Sequence, residues 1–398
     1  MAKPIIVVGD GWSALSSVAH LLSQPNQHDT RSQEIIWVAG SVSRALSPLP
    51  TTHLGFAKLA RHFGVELGQH HSSNGRNAYA TYLREFKNKA FREPIFSKGE
   101  DREQAIVENL WGPEQKVALL TDDRFELSAA EIEESLRAKI IESEFSNLKR
   151  IEGNTFSGLK IADGQVQAIV LASGEELECS RVIFCDRWSL LPKIQGLPKG
   201  LSFTRSRDPH GLLQATFSHT IPVGVGVLEG FFATMNREAG EEFDRHVWGY
   251  FSADGKQSFW TICLTSNEVE DNHEIAKKLR RMKSTLDKMF TGTSWIPNAE
   301  KGFMGNVSDE QVRFEESLIF ADGKVPTEII GIEGAENLNF ITDGYGPAQA
   351  FEQVVRLLGS TSALEVEIPA IETSSESEFF MAGHAQNAPE HSVELGSN

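Results

Sequence analysis

The sequence predicts an α/β protein: a parallel sheet covered by helices, with a three-stranded β-meander and an inserted α+β domain. Three stretches predict it. Ile5–Leu22 reads as an apolar strand, a glycine turn and an amphipathic helix; short strands divided by Asp163-Gly164 and Ser173-Gly174 run into the apolar Arg181–Cys185; and Leu338–Leu358 repeats strand, glycine turn and helix. Strands that alternate with helices are the pattern of a parallel sheet. With 398 residues the chain has room for two or three domains.

Ile5-Ile6-Val7-Val8 has no polar member, as expected of a strand buried on both faces. Leu15, Val18, Ala19 and Leu22 then recur at i, i+3, i+4 and i+7, one apolar helix face. A polar loop, Gln24–Gln33, leads to the strand Ile35–Val38, whose return beside the first strand is the right-handed crossover. Thr51–Gly68 reads as a helix that stops in its last, glycine-bounded residues, and 70–115 is polar and poorly periodic, expected to reach away from the core. Ser128 and Glu131 have capping-box spacing, and Ile132, Leu136 and Ile140 continue one face. The meander strands are expected at Leu159–Ile161, Val166–Ala172 and Glu175–Ser180.

From 200 to 330, strand-like segments (Leu212–Phe217, Phe259–Thr265) alternate with a long helix, His273–Phe290, whose Ile275, Leu279, Met282 and Leu286 align. The chain then returns with a strand at Leu338–Thr342 and a helix that begins near Pro347 and stops before Gly359. This divides the protein into a discontinuous α/β domain (1–60, 122–196 and 328–366), an inserted domain (61–121 and 197–327) and a polar tail (367–398) expected to be mobile.

The formal net charge of −17 argues against nucleic acid, whose phosphates need clustered cations. Lys278, Arg280, Arg281 and Lys283 form a local basic group, expected to be the solvated face of a helix. No apolar run is long enough for a membrane span, and Met1–Pro4 leads into a segment too short for a signal core. Three cysteines without metal or disulfide spacing (Cys179, Cys185, Cys263) fit a reducing, cytoplasmic setting, in which the glycosylation pattern Asn306-Val307-Ser308 is idle.

The chemistry begins at Gly9-Asp10-Gly11-Trp12-Ser13-Ala14. Gly9 permits the tight turn, and Gly11 lets backbone N–H groups approach a pyrophosphate that faces the helix dipole. Ala14 is an accepted substitute at the third position, where close helix–strand packing is needed. In its setting between an apolar strand and an amphipathic helix, this is a Rossmann-like dinucleotide fingerprint comprising Gly9, Gly11, Trp12, Ser13 and Ala14. The carboxylate expected to bind ribose at the end of the second strand is missing: Ala39 stands there. Ser41, Ser43 and Arg44 beyond it fit either a 2′-phosphate pocket for NADP or a polar loop with one exposed arginine. Asp343, Gly344 and Gly346 precede the last helix, whose free N–H groups form a second meeting point for a ligand. Two such points suit one long cofactor and favour FAD over NADP.

These motifs, over nearly the whole chain, resemble the FAD-dependent oxidoreductases of the amine oxidase and phytoene desaturase type. Val7–Leu22 is similar to their opening fingerprint, Thr52–Gly68 to their glycine-bounded helix, Gly164–Cys185 to their meander and return strand, and Asn337–Leu358 to their closing flavin motif. The resemblance implies that Gly9 and Gly11 receive the pyrophosphate and that Asp343 and the helix after it lie near the ribityl chain and flavin ring. It also implies a substrate domain facing the flavin. The chain departs from the family at Ala39 and in the arginine-bearing double-glycine segment, which is reduced to Ser43-Arg44.

His53, His62, His70 and His71 lack partners in a metal-ligand pattern, so no metal is expected. Phe231, Phe232, Trp248, Tyr250, Phe251 and Trp260 are candidates for an apolar substrate wall or for core packing. The function implied is hydride removal from a C–N or C–C centre of a small, partly apolar substrate, with no proton-transfer residue assignable. The alternative is a flavoprotein-like scaffold without redox activity that binds a protein partner.

Overall fold

The structure, a computed structural model, describes residues 3–24, 33–40, 54–68, 70–71, 80–87, 90–92, 95, 98, 124–125, 127, 129–153, 156–186, 188–198, 203–205, 211–223, 230–235, 247–252, 254–269, 271–290, 296–297, 299–316, 318–320, 332–341 and 347–368. The chain starts with β1 (Ile5–Val8), α1 (Trp12–Ser23), β2 (Ile35–Ala39) and α2 (Leu54–His62). Four short strands follow: β3 (His70–His71), β4 (Ala80–Lys87), β5 (Ala90–Arg92) and β6 (Arg124–Phe125). Next come α3 (Ala129–Glu142), β7 (Leu148–Glu152), β8 (Phe156–Ala162), β9 (Gln165–Leu171), β10 (Glu176–Glu178) and β11 (Arg181–Phe184). The second half holds β12 (Phe203–Arg205), β13 (Gly211–His219), β14 (Gly230–Met235), β15 (Val247–Phe251) and β16 (Gln257–Leu264). It ends with α4 (Ser266–Val269), α5 (Asn272–Phe290), β17 (Val307–Glu316), β18 (Leu318–Phe320), β19 (Leu338–Phe340) and α6 (Pro347–Leu358).

The parallel sheet has the order β19-β11-β1-β2-β7, with Val7 in register with Ile183 on one side and Trp37 on the other. Alternation sends successive residues to opposite faces. Val7, Ile35, Trp37 and Ile183 pack under Leu15 and Val18 of α1, Phe56 of α2, Leu136 of α3 and Val354 of α6. Ile6, Val8, Ile36, Val182 and Phe184 pack on Leu159, Ile169 and Leu171 of the β8-β9-β10 meander. Both faces are thus covered, which is why Ile5–Val8 carries no polar residue.

A second, seven-stranded sheet has the order β17-β13-β16-β15-β14-β4-β5. Met282, Leu286 and Phe290 of α5 cover one face of it, against Phe217, Phe232, Phe251, Trp260 and Phe303. Two expectations are corrected here. Residues 80–92 do not reach away from the core: β4 pairs in parallel with β14, from Gly230↔Ala80 to Met235↔Glu85, and β5 folds back on β4. That partner lies far along the chain, so no local pattern announces it. Nor is Lys278 solvated: its side chain is 1% exposed and its Nζ donates to both carboxylate oxygens of Glu268, at 2.9 and 3.0 Å. Asn306 is also buried, donating to the Ile221 carbonyl and accepting from the Ile221 N–H, so it is inaccessible to modification in the folded chain. No helix among the described residues is long and apolar enough to cross a membrane.

Candidate functional site

The two fingerprint glycines serve different purposes. Gly9 has φ +127°, and a Cβ there would lie 2.6 Å from the Cys185 carbonyl oxygen and 2.9 Å from the Asp186 nitrogen. Its hydrogen is required by the close pass of β1 beside the end of β11. Gly11, the residue before α1, has φ −93° and ψ −163°, extended backbone open to any residue. Conformation therefore gives no reason for glycine at position 11, which is buried at the start of α1.

α1 receives no side-chain cap, and its first intrahelical bond runs from the Leu15 N–H to the Gly11 carbonyl at 2.9 Å. The N–H groups ahead of Leu15 point out of the helix start, where an anion meets both hydrogen-bond donors and the positive end of the dipole. Ala14 is fully buried against the sheet, as its packing role requires, and Ser13 is buried beside it. Trp12 is 1% exposed and meets Phe56 edge to face at 5.2 Å, so its indole belongs to the core beneath the turn.

Side chains that were not singled out in the sequence hold the turn from outside. The Trp37 Nε1–H donates to the Gly9 carbonyl at 2.8 Å. Arg137 of α3 donates to the Asp10 carboxylate, to the Asp10 carbonyl at 2.6 Å and to Glu133 at 2.9 Å. Its guanidinium also lies 5.3 Å from the Trp37 ring, and that of Arg150 from β7 lies 4.9 Å from the same ring. Trp37 is thus flanked by two cations. Arg137 commits its donors to two carboxylates, so attraction for an anion at the turn falls to the backbone N–H groups. One signal was readable: a tryptophan in the otherwise aliphatic Ile35–Ala39.

Ala39 closes β2 at 2% exposure, and no carboxylate of β2 reaches the site. Arg44, Asp343, Gly344 and Gly346 lie outside the described residues, as do Ser41 and Ser43. The elements around the second predicted ligand contact are present: β19 pairs with β11, Phe340 opposite Phe184, and α6 begins at Pro347.

The candidate aromatic wall divides by strand alternation. Phe232, Phe251 and Trp260 contact Phe290 at 5.3, 5.7 and 5.7 Å between centroids, and they are core. Gly249 leaves no room for a side chain: a Cβ would overlap the Phe259 carbonyl oxygen and meet the Trp260 indole at 2.6 Å. Trp248 and Tyr250 face the other way, both buried, with the Tyr250 ring 5.0 Å from that of Phe259. Burial, and after it the carboxylates of Glu131 and Glu133, push the Tyr250 phenol up, so it stays protonated. His219 is buried in the core of this domain, its Nε2 2.9 Å from the Ser258 hydroxyl, and desolvation lowers its pKa to about 4.

No protein-family model and no curated protein matches the chain. Solved structures match it over most of its length. BrvH, a flavin-dependent halogenase from Brevundimonas sp. BAL3, aligns with 92% of this chain and 74% of its own at 14% identity and a TM-score of 0.50. The chain is similar in fold to flavin-dependent halogenases. The flavin-dependent brominase Bmp2 aligns with 92% of this chain and 82% of its own, at 8% identity and a TM-score of 0.51. A tryptophan C-6 chlorinase of taromycin biosynthesis covers 96% of this chain and 73% of its own, at 11% identity and a TM-score of 0.50. These are halogenases, not amine oxidases or desaturases, so the resemblance read from the sequence holds at the coarser level of a flavoenzyme fold.

Proposed function

We propose that the chain is an FAD-dependent oxidoreductase acting on a small, partly apolar organic substrate. One observation carries this reading. The Gly9–Gly11 turn into the uncapped start of α1 sits at the carboxyl edge of a five-stranded parallel sheet, where such sheets bind their ligands. The residues present suit FAD: Gly11 puts no side chain between the turn and a pyrophosphate, and Trp37 and Arg137 hold the turn rigid by its carbonyls. The β19–α6 segment on the far side of β11 offers the second contact that a long cofactor needs. NADP would use the first contact alone. The neighbouring folds, named for flavin-dependent halogenation and bromination, support the flavin choice.

Bound FAD would supply the capacity to take a hydride from a C–N or C–C centre. Trp248 and Tyr250, buried on the sheet face turned away from the α5 core, are our candidates for packing beneath the substrate side. The test is the visible spectrum of the purified protein with added FAD, followed by anaerobic addition of apolar amines and unsaturated compounds. Flavin uptake with bleaching supports the whole reading; uptake with every such compound leaving the colour unchanged refutes hydride removal. A folded protein that takes up no FAD favours the second reading, a flavoprotein-like scaffold serving a protein partner, for which Ala39 in place of the ribose acid is the motivating observation.

A further inference from the structure

We propose that Glu152, on the strand next to β2, is the carboxylate that holds the adenosine ribose in place of the acid missing at Ala39. The inference rests on the FAD reading above. β7 runs parallel to β2 with Trp37 opposite Arg150 and Ala39 opposite Glu152. Partners in a parallel register project to the same face, so Glu152 rises beside Ala39, one strand spacing of about 4.8 Å away. That this face belongs to the fingerprint turn is fixed by Trp37: its ring lies under the Arg150 guanidinium at 4.9 Å, and its Nε1–H bonds the Gly9 carbonyl. Glu152 is the last residue of β7, at the same carboxyl edge as the turn.

Its environment suits the task. The side chain is 68% exposed, and Arg150 donates to Oε1 at 2.6 Å, which orients the carboxylate. Oε2 has no partner among the described residues. An oriented carboxylate with a free oxygen can accept hydrogen bonds from ribose hydroxyls. It also repels a 2′-phosphate and neutralises Arg150, the cation that would attract one. A single residue thus accounts for FAD being preferred to NADP although β2 ends in alanine.

The test measures FAD and FMN affinity, by flavin fluorescence, for the full chain and for E152Q, A39E/E152Q and the remote control E178Q. FMN lacks the adenosine half. We expect E152Q to bind FAD about tenfold more weakly, with FMN affinity and melting temperature unchanged, the double variant to recover part of the loss, and E178Q to match the parent. FAD affinity equal in parent and E152Q overturns the assignment. An equal loss of FMN binding overturns it too, because the effect would not come from the ribose. A parent protein that binds no FAD refutes the cofactor reading itself, and this inference with it.

Discussion

Gly9→Ala and Gly11→Ala separate folding from binding within one six-residue motif. At Gly9, φ +127° forces any L side chain into a strained region, at about 1–3 kcal/mol. The new methyl would also sit 2.6 Å from a backbone carbonyl, which cannot swing aside like a side chain, adding the roughly 1–3 kcal/mol of an overpacked site. The sum is about 4 kcal/mol, a large share of ordinary domain stability. Gly11, with extended backbone, carries no conformational penalty and gains up to about 1 kcal/mol from a stiffer unfolded chain. Urea unfolding without FAD, followed by circular dichroism, reads both without ligand linkage. Gly9→Ala should lower the unfolding midpoint strongly, while Gly11→Ala leaves it in place and weakens FAD binding. Equal midpoints for the two variants would refute the division of labour drawn between these glycines.

Further outcomes follow from the buried charges. Arg137→Met removes the ion pairs to the carboxylates of Asp10 and Glu133 and should cost about 3–5 kcal/mol, read in the same unfolding assay. Glu268→Gln removes the carboxylate that pairs with the buried Lys278 ammonium and should destabilise the protein by a similar 3–5 kcal/mol, whereas Lys256→Met, at an exposed pair, should change stability by less than about 1 kcal/mol. His20 and His219 are both lowered to about 4, each chiefly by burial. The unfolded chain therefore binds the extra protons, so stability holds above pH 6.5 and falls as pH drops toward 4, by about 3 kcal/mol for each histidine. His219→Gln should flatten that slope in a pH series of unfolding midpoints, and an unchanged slope would contradict the burial argument.

The parallel-sheet architecture was legible because its signals are local. The Ile5–Val8 strand, the glycine turn and the Leu15, Val18, Ala19 face fall within twenty residues, and Asp163-Gly164 and Ser173-Gly174 mark two meander turns in place. What escaped depends on distant partners. Ala80–Lys87, with Arg84, Glu85 and Lys87, looks like loop until Gly230–Met235 lies beside it. β7, whose sequence is Leu-Lys-Arg-Ile-Glu, lacks a continuous apolar run, yet it supplies the edge of the parallel sheet and the carboxylate we assign to ribose. In the aromatic set, the sequence holds the residues but not the register: Trp260 goes inward and Tyr250 outward only once β15 and β16 pair as Gly249↔Trp260 and Tyr250↔Phe259. Lys278 appeared solvated because Glu268, ten residues before it, becomes its partner only when α4 packs against α5.

The measurement that bears most directly on the account is a fluorescence titration of FAD into the full chain and its Gly11→Val variant, with the thermal midpoint of each recorded alongside. A valine at position 11 suits the extended backbone but fills the space that a pyrophosphate needs. The account predicts saturable FAD binding by the parent, its loss in the variant and closely similar melting. Equal FAD binding by two equally folded proteins, or none by either, would contradict it.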